Sequence, residues 1–517
     1  MFFLLSEFTF LLITAATLLY IYARHVNNYW KRHNIPYIQG TPFLGNIADL
    51  VFMKKSSSEW IVDLYNHKDA VNHPFVGIHV FQQPALLIRD PELAKVFLIK
   101  DFECFPNRHS RLSKRVDPLG AQILFFLRNS TWRQFRLRNS PMFTGSKMKS
   151  VFPLIAEIGQ KLDRRLTKLT KEKPIVHEIH DLASFFTGDV IASVAFNINA
   201  NSIENRNNPF HIITSKVFEF SIHRSAAMAA AFFIPSLSEI MRARFFPDVT
   251  AKFLRSAIVD VINDREKTEA RRNDVIDNLI NLKRQIKEKT GEDVAKGDAD
   301  LLYAQAAAYY TAGFGTTASA LGFSLLELAK HPECQERLRK EIHDVLLQYE
   351  KNICYEAVIK MEYLHMVIYE AMRFYPTLPF LDRECTLTDG RTHFSMEPYS
   401  DFKIPNGMPV YIPAYALHRD PKYFPEPDKF EPERHSPENK MKRPACTLLP
   451  FGAGPRNCIG GRLGLLIVKI GLVYFLLNHK VMANGQTPKQ IKLDKRAMII
   501  QSEDGLYCDI IHDPIFK

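Results

Sequence analysis

Four glycines and one cysteine fall within the run Leu449-Pro-Phe451-Gly452-Ala-Gly454-Pro-Arg456-Asn-Cys458-Ile-Gly460-Gly461, directly before a long apolar stretch. No other feature constrains the chain as strongly. The stretch behind it, Arg462 to Leu477, carries helical periodicity, so Cys458 is predicted in a tight loop at a helix N-terminus. Free backbone N–H groups and the positive end of the helix dipole lower the pKa of a thiol placed there. Gly454 and Gly460 admit backbone turns and the close approach of a flat ligand. Phe451 can shield the sulfur, and Arg456 can point a cation at a carboxylate on that ligand. The bland alternative is a buried cysteine beside a glycine turn, but five residues of four types at these spacings are far more specific than a lone Gly-x-Gly and Cys.

The N-terminus is the second constraint. Phe2 to Tyr22 is almost wholly apolar, without Gly or Pro, and Glu7 is its one charge. About 20 residues at ~1.5 Å each span a hydrocarbon core of ~30 Å. Arg24, His25, Lys31 and Arg32 follow, which places the C-terminal side in the cytosol. A cleaved signal peptide near Ala15-Ala16 is the alternative, and it lacks a basic leading region. Residues 1–23 are read as an anchor and 24–46, with Pro36 and Pro42, as a basic, proline-rich stiff hinge. Residues 47–517 are read as one catalytic body.

The seven cysteines, Cys104, Cys334, Cys354, Cys385, Cys446, Cys458 and Cys508, include no Cys-x-x-Cys pair. Odd number and wide spacing argue against a disulfide framework and a zinc module. Lys plus Arg exceeds Asp plus Glu by 67 to 56, a formal charge of +11, with no interleaved basic–aromatic module of a nucleic-acid binder. Val76–Val80 and Ala85–Arg89 read as hairpin strands. Trp132–Met142, Pro153–Leu169, Leu301–Lys330 and Pro332–Tyr349 read as helices. Arg265 to Asp300, dense in charge of both signs, is expected as a solvated helix and loop. The apolar stretch Ala226–Phe246 is expected to pack in the core, cover a pocket or dip into a membrane surface. The fold class is mainly α with a small β region.

A cysteine thiolate ligating haem iron needs low solvent access, hydrogen bonds to sulfur and partners for two propionates. Phe451-x-x-Gly454-x-Arg456-x-Cys458-x-Gly460 resembles the haem-binding signature of the cytochrome P450 family, and further marks follow over nearly the full length. Glu370-Ala-Met-Arg373 resembles the family's buried Glu-x-x-Arg pair, and the segment around Arg434 resembles the one completing that structural triad. His435 replaces its usual aromatic, a change expected to matter little. Trp132 and Arg136 resemble the Trp-x-x-x-Arg that holds a propionate, and Arg383 and Arg108 match further propionate arginines.

Ala312-Gly313-Phe314-Gly315-Thr316 resembles the family's oxygen-activating helix motif, with Thr316 as the proton-delivering threonine and small Ala312 and Gly313 over the cofactor. Gly315 stands where the family has an acid, which puts proton delivery in doubt. Gly313-x-Gly315-x-x-Ala318 also fits a loose dinucleotide fingerprint, which is rejected because no strand precedes it. Leu378–Cys385, Phe143–Lys149 and His418–Pro421 through His435 are similar to the insect family-six group, many of whose members oxidise plant toxins and insecticides.

The resemblance implies the cytochrome P450 fold, with haem b between a long central helix and the cysteine-loop helix, and Cys458 as the metal ligand. It also implies a monooxygenase that inserts one oxygen atom from O2 into lipophilic small molecules. The implied location is the endoplasmic reticulum membrane, with the catalytic body cytosolic. Electrons would come from NADPH–cytochrome P450 reductase, with cytochrome b5 as a further candidate donor. Lys440, Lys442, Arg443, Arg133 and Arg138 are the candidate docking charges. Pocket residues are expected within 112–126, 218–233, 303–315 and 377–381. Two alternatives stay open: a reductase-independent isomerase, dehydratase or peroxygenase, and a non-catalytic haem- or ligand-binding membrane protein.

Overall fold

The computed structural model describes residues 2–268, 274–290 and 296–516. Helix α1 (Phe2–Asn27) extends past the predicted anchor, and its stretch Phe8–Asn27 is almost entirely exposed. Among the described residues two other helices are long and apolar enough to cross a membrane, but both lie inside the body: α4 (Ile179–Ile191), continued to Phe196, and α11 (Gly461–Asn478).

Around them run α2 (Asn129–Asn139), α3 (Gly145–Thr170), α5 (Ile222–Phe233), α6 (Asp248–Thr268), α7 (Val275–Thr290), α8 (Lys296–Lys330), α9 (Pro332–Gln348) and α10 (Glu362–Phe374). Apolar residues surround α8 and α11 on every side, which is the pattern of a helix buried all round. Accordingly α8 crosses the centre, packed on α4, α10 and α11, and α11 buries Leu463 and everything from Leu466 to Leu476. That run includes Lys469, which reaches the carbonyls of Val358 and Met361 at 3.4 and 3.2 Å.

A four-stranded sheet in the order β1-β2-β7-β4 stands beside the helices, formed by β1 (Phe75–Val80), β2 (Gln83–Ile88), β4 (Leu381–Glu384) and β7 (Pro409–Ile412). The predicted hairpin is present, with Val76 opposite Leu87, and β2 continues parallel to β7. Strand β3 (Ile175–Glu178) joins β8 (His479–Met482) and β9 (Tyr507–His512) in the order β3-β9-β8, and β5 (His393–Ser395) pairs β6 (Lys403–Pro405).

Several local expectations change. Helix α3 starts at Gly145 and runs through Pro153, because Pro153 and Lys149, whose carbonyl loses its partner, both face solvent. Helix α2 stops at Asn139, and Met142 lies in a 3-10 turn behind it. The charge-dense segment is not merely solvated: Arg265 is buried and binds Asp274 at 2.5 Å and Asp277 at 3.0 Å. The proline-rich segment packs on β1, with Trp30 fully buried, its Nε1 donating to the Ile78 carbonyl at 2.9 Å, and Ile38 N–H donating to the Gly77 carbonyl.

Candidate functional site

The cysteine loop is built by its glycines and one backbone bond. Gly454 holds φ +73°, and a Cβ there would collide with the Leu98 carbonyl, so no other residue fits without a shift. Cys458 N–H donates to the Phe451 carbonyl at 2.8 Å, closing the loop, and Gly460 caps α11. Of the seven cysteines only Cys458 is exposed, yet it lies deep in the protein, because it opens onto an internal cavity of ≈ 330 Å³. That cavity lies between the loop and α8. Phe451, Gly460, Ala312, Gly313, Thr316 and Thr317 are on its wall.

The helix terminus does not win the electrostatic contest at sulfur. Burial pushes the Cys458 thiol up, and the Gly460 N–H, Arg136 and Arg108 offset only part of this. A coordinated metal ion reverses that balance, since it deprotonates a ligating thiol outright.

One edge of the cavity is strongly cationic. Arg108, Arg383 and Arg456 all line it, and Arg108 binds Asp382 at 3.1 Å. Burial, with repulsion from Arg108 and Arg383, lowers Arg456 to about 8, and burial with repulsion from Arg108 lowers Arg383 to about 9. Asp382 resists burial and stays below its ordinary value because Arg108 and the Ser110 N–H hold it ionised. Arg128, next to this group, is taken by Glu384 at 2.6 Å. Three guanidiniums therefore share one carboxylate, which leaves two positive charges uncompensated, and the buried Arg383 Nε has no acceptor among the described residues. Haem, with its two propionates and an iron that takes a thiolate, would fit this donor set.

The predicted residues divide by what they touch. Arg456 spends its donors on the carbonyls of Pro106, Phe125 and Leu127 at 2.5, 3.4 and 2.6 Å and lies over the Trp132 ring, so it offers charge more than hydrogen bonds. Arg136 binds the Asn457 carbonyl and side chain at 2.7 and 2.6 Å. On α8 the Thr316 hydroxyl donates to the Ala312 carbonyl at 2.6 Å, within an unbroken helix that also contains the rejected dinucleotide fingerprint. Gly313 is small for α4 as well: a Cβ there would meet Ile191 Cδ1 at 2.7 Å. Gly315 is not on the cavity wall. A side chain there would run into the Phe218 ring, so the position facing the family's acid is filled from outside by an aromatic.

Glu370, Arg373 and Arg434 meet, fully or nearly fully buried. Arg373 binds both Glu370 oxygens at 2.8 Å, and Arg434 stands 3.5 Å away. His435 does matter: its Nε2 donates to Glu370 at 2.8 Å. Burial opposes ionisation of Glu370, but Arg373 and His435 outweigh it and hold the carboxyl at about 2. Sequence reasoning also missed His418. Arg373 donates to the His418 carbonyl at 2.9 Å, and His418 Nε2 accepts from Leu449 N–H at 2.7 Å, which ties the triad to the first residue of the cysteine loop. Burial lowers His418 to about 3, so the ring is neutral and free to accept.

The expected pocket segments contribute unevenly. Ile123, Leu124, Phe125, Gln305, Ala308, Tyr309, Thr377, Leu378 and Leu381 line the cavity, but nothing from 218–233 does, and Phe245 stands there instead. Asp117 accounts for that substitution by accepting from Phe245 and Phe246 N–H at 2.8 and 3.1 Å. Among the candidate docking charges, Arg133 is engaged by Glu103 at 2.8 Å and Arg443 lies over the Phe424 ring.

The model of the family described as Cytochrome P450 matches residues 36–508. Among curated proteins, the chain is 42% identical to "Probable cytochrome P450 6g2" of Drosophila melanogaster over 94% of this chain and 95% of the relative. It is 37% identical to "Probable cytochrome P450 6v1" of the same organism, with 96% and 98% covered. "Cytochrome P450 6k1" of Blattella germanica is 38% identical, with 96% and 95% covered.

Proposed function

The chain belongs to the cytochrome P450 family and is a haem-thiolate monooxygenase, and from that premise we propose that it is a membrane-anchored oxidase of lipophilic small molecules. Its substrates are xenobiotics such as plant toxins and insecticides, or endogenous hormones and lipids. Its electrons come from NADPH–cytochrome P450 reductase, with cytochrome b5 as an auxiliary donor. The anchor is the exposed helix α1, in the endoplasmic reticulum membrane with the catalytic body in the cytosol. The observation that carries this reading is the Cys458 sulfur opening onto an apolar-walled cavity whose edge bears two uncompensated positive charges.

Haem, when bound, would supply the activation of dioxygen, with the Cys458 sulfur as its electron-donating ligand. Cys458 gives that sulfur, Gly460 N–H steadies it, and Phe451 covers it. Arg108, Arg383 and Arg456 hold the anionic edge, helped by Trp132 and Arg136, which pin the loop beside it. Thr316 holds a proton at Oγ1 on the facing wall. Glu370, Arg373 and Arg434 act as scaffold behind the loop. Lys440 shares a surface cleft with Arg462, the second residue of α11, and so brings basic charge for an acidic redox partner to the cysteine side.

The test is the reduced carbon-monoxide spectrum of Cys458→Ala beside wild type. Loss of the thiolate-type band is expected, and an unchanged band would eliminate this ligand assignment. Gly315 in place of an acid favours a second reading, a reductase-independent isomerase or peroxygenase. Turnover that needs both NADPH and reductase rejects it.

A further inference from the structure

Gln305 lies on α8 in register with Ala308, Tyr309, Ala312 and Thr316, all of which line the cavity. Its Nε2 donates twice, to the Gln122 carbonyl at 2.8 Å and to the Leu301 carbonyl at 3.1 Å. Both amide hydrogens are thereby used, which fixes which end of the amide is oxygen. Oε1 then has no donor among the described residues, although the side chain is only 5% exposed. The same cavity wall carries the apolar Ile123, Leu124, Phe125, Ala308 and Phe245, with Tyr309 one turn along α8. Native interiors leave few polar atoms unpaired, and an apolar residue here would remove the unpaired acceptor.

We propose that Gln305 determines specificity: its Oε1 receives a hydrogen bond from a hydroxyl or N–H on the substrate. The proposal rests on the monooxygenase reading and narrows its substrate class. Seven residues of helix separate Gln305 from Ala312, a rise of about 10 Å. The substrate is therefore a lipophilic molecule that carries a hydroxyl or N–H donor at the Gln305 end of the cavity, about 10 Å along α8 from Ala312. Oε1 is covered in this conformation, so the donor enters by displacing a neighbouring wall side chain. A site built around an unpaired acceptor rejects analogues that lack the donor more strongly than shape alone would.

The experiment uses full-length, haem-loaded protein and optical binding titrations, which need no reductase. The probes are matched alcohols and methyl ethers on steroid, terpene and aryl skeletons, measured with wild type, Gln305→Met and Gln305→Leu. In wild type at least one alcohol should bind roughly tenfold or more tightly than its ether, the scale of one hydrogen bond to a buried acceptor. In the variants that preference should shrink to about twofold, with the ether held as well or better. Equal affinities for every pair in wild type, or a preference that survives both substitutions, would overturn the proposal. If both variants lose the thiolate-type spectrum, the wild-type ranking alone decides. Failure of the monooxygenase reading is seen separately, as absent NADPH-driven turnover by a protein that still binds and discriminates the probes.

Discussion

Replacing His418 tests how the loop around Cys458 is held. The imidazole is fully buried, and its Nε2 is the acceptor for Leu449 N–H at 2.7 Å. In His418→Leu that N–H is left buried without a partner. Such a group costs about 1–3 kcal/mol, which corresponds to roughly a 5- to 150-fold shift toward a loosened loop. Glutamine keeps an acceptor, so His418→Gln should recover part of the loss. The assay is haem transfer to apomyoglobin, run with the reduced carbon-monoxide spectrum. His418→Leu should release haem at least several-fold faster and convert more of the thiolate-type band to the misligated form. Release at the wild-type rate from a folded His418→Leu protein would show that the loop is held by other means and refute the reasoning.

Acid should act through Glu370. A carboxyl held at about 2 against an ordinary 4.5 contributes stability that is fully present above pH 4.5 and lost as pH falls through 2. The shift is worth about 3 kcal/mol, so urea unfolding of wild type should weaken by that amount across the window, and Glu370→Gln, already weaker, should show a flatter profile. Thr316→Ala should lower product formed per NADPH consumed; unaltered coupling would remove Thr316 from proton delivery. Gly315→Ala should destabilise by about 1–3 kcal/mol through collision with Phe218, and Phe218→Ala should relieve it in the double variant.

What could be read from sequence was local. The glycines, the helix start behind Cys458 and the Glu370–Arg373 spacing are set within one turn or loop, and all fell where expected. Partners far apart in the chain were legible only where a family motif marks them, as it does Arg434; elsewhere they were not, and His435 reaches Glu370 across 65 positions, His418 reaches Leu449 across 31, and the Asp382 that holds Arg108 lies 274 positions away. Gln305 looked like one polar residue in an Ala- and Tyr-rich helix, because the Gln122 carbonyl that fixes its amide lies 183 positions away. The environment of the unligated thiol was only half legible: the dipole of a helix start is visible in sequence, but the burial that opposes it is not. Pro153 misled because its helix-breaking effect depends on which face it occupies.

The clamp made by Arg456 has a consequence for biogenesis. Its carbonyl partners precede it by 350, 331 and 329 positions, so the two walls they join are synthesised far apart in time. A ribosome-bound chain that has not yet emerged past Cys458 has the early wall and the central helix but nothing to close against them. Prosthetic-group capture must therefore follow translation through Cys458 and the helix behind it.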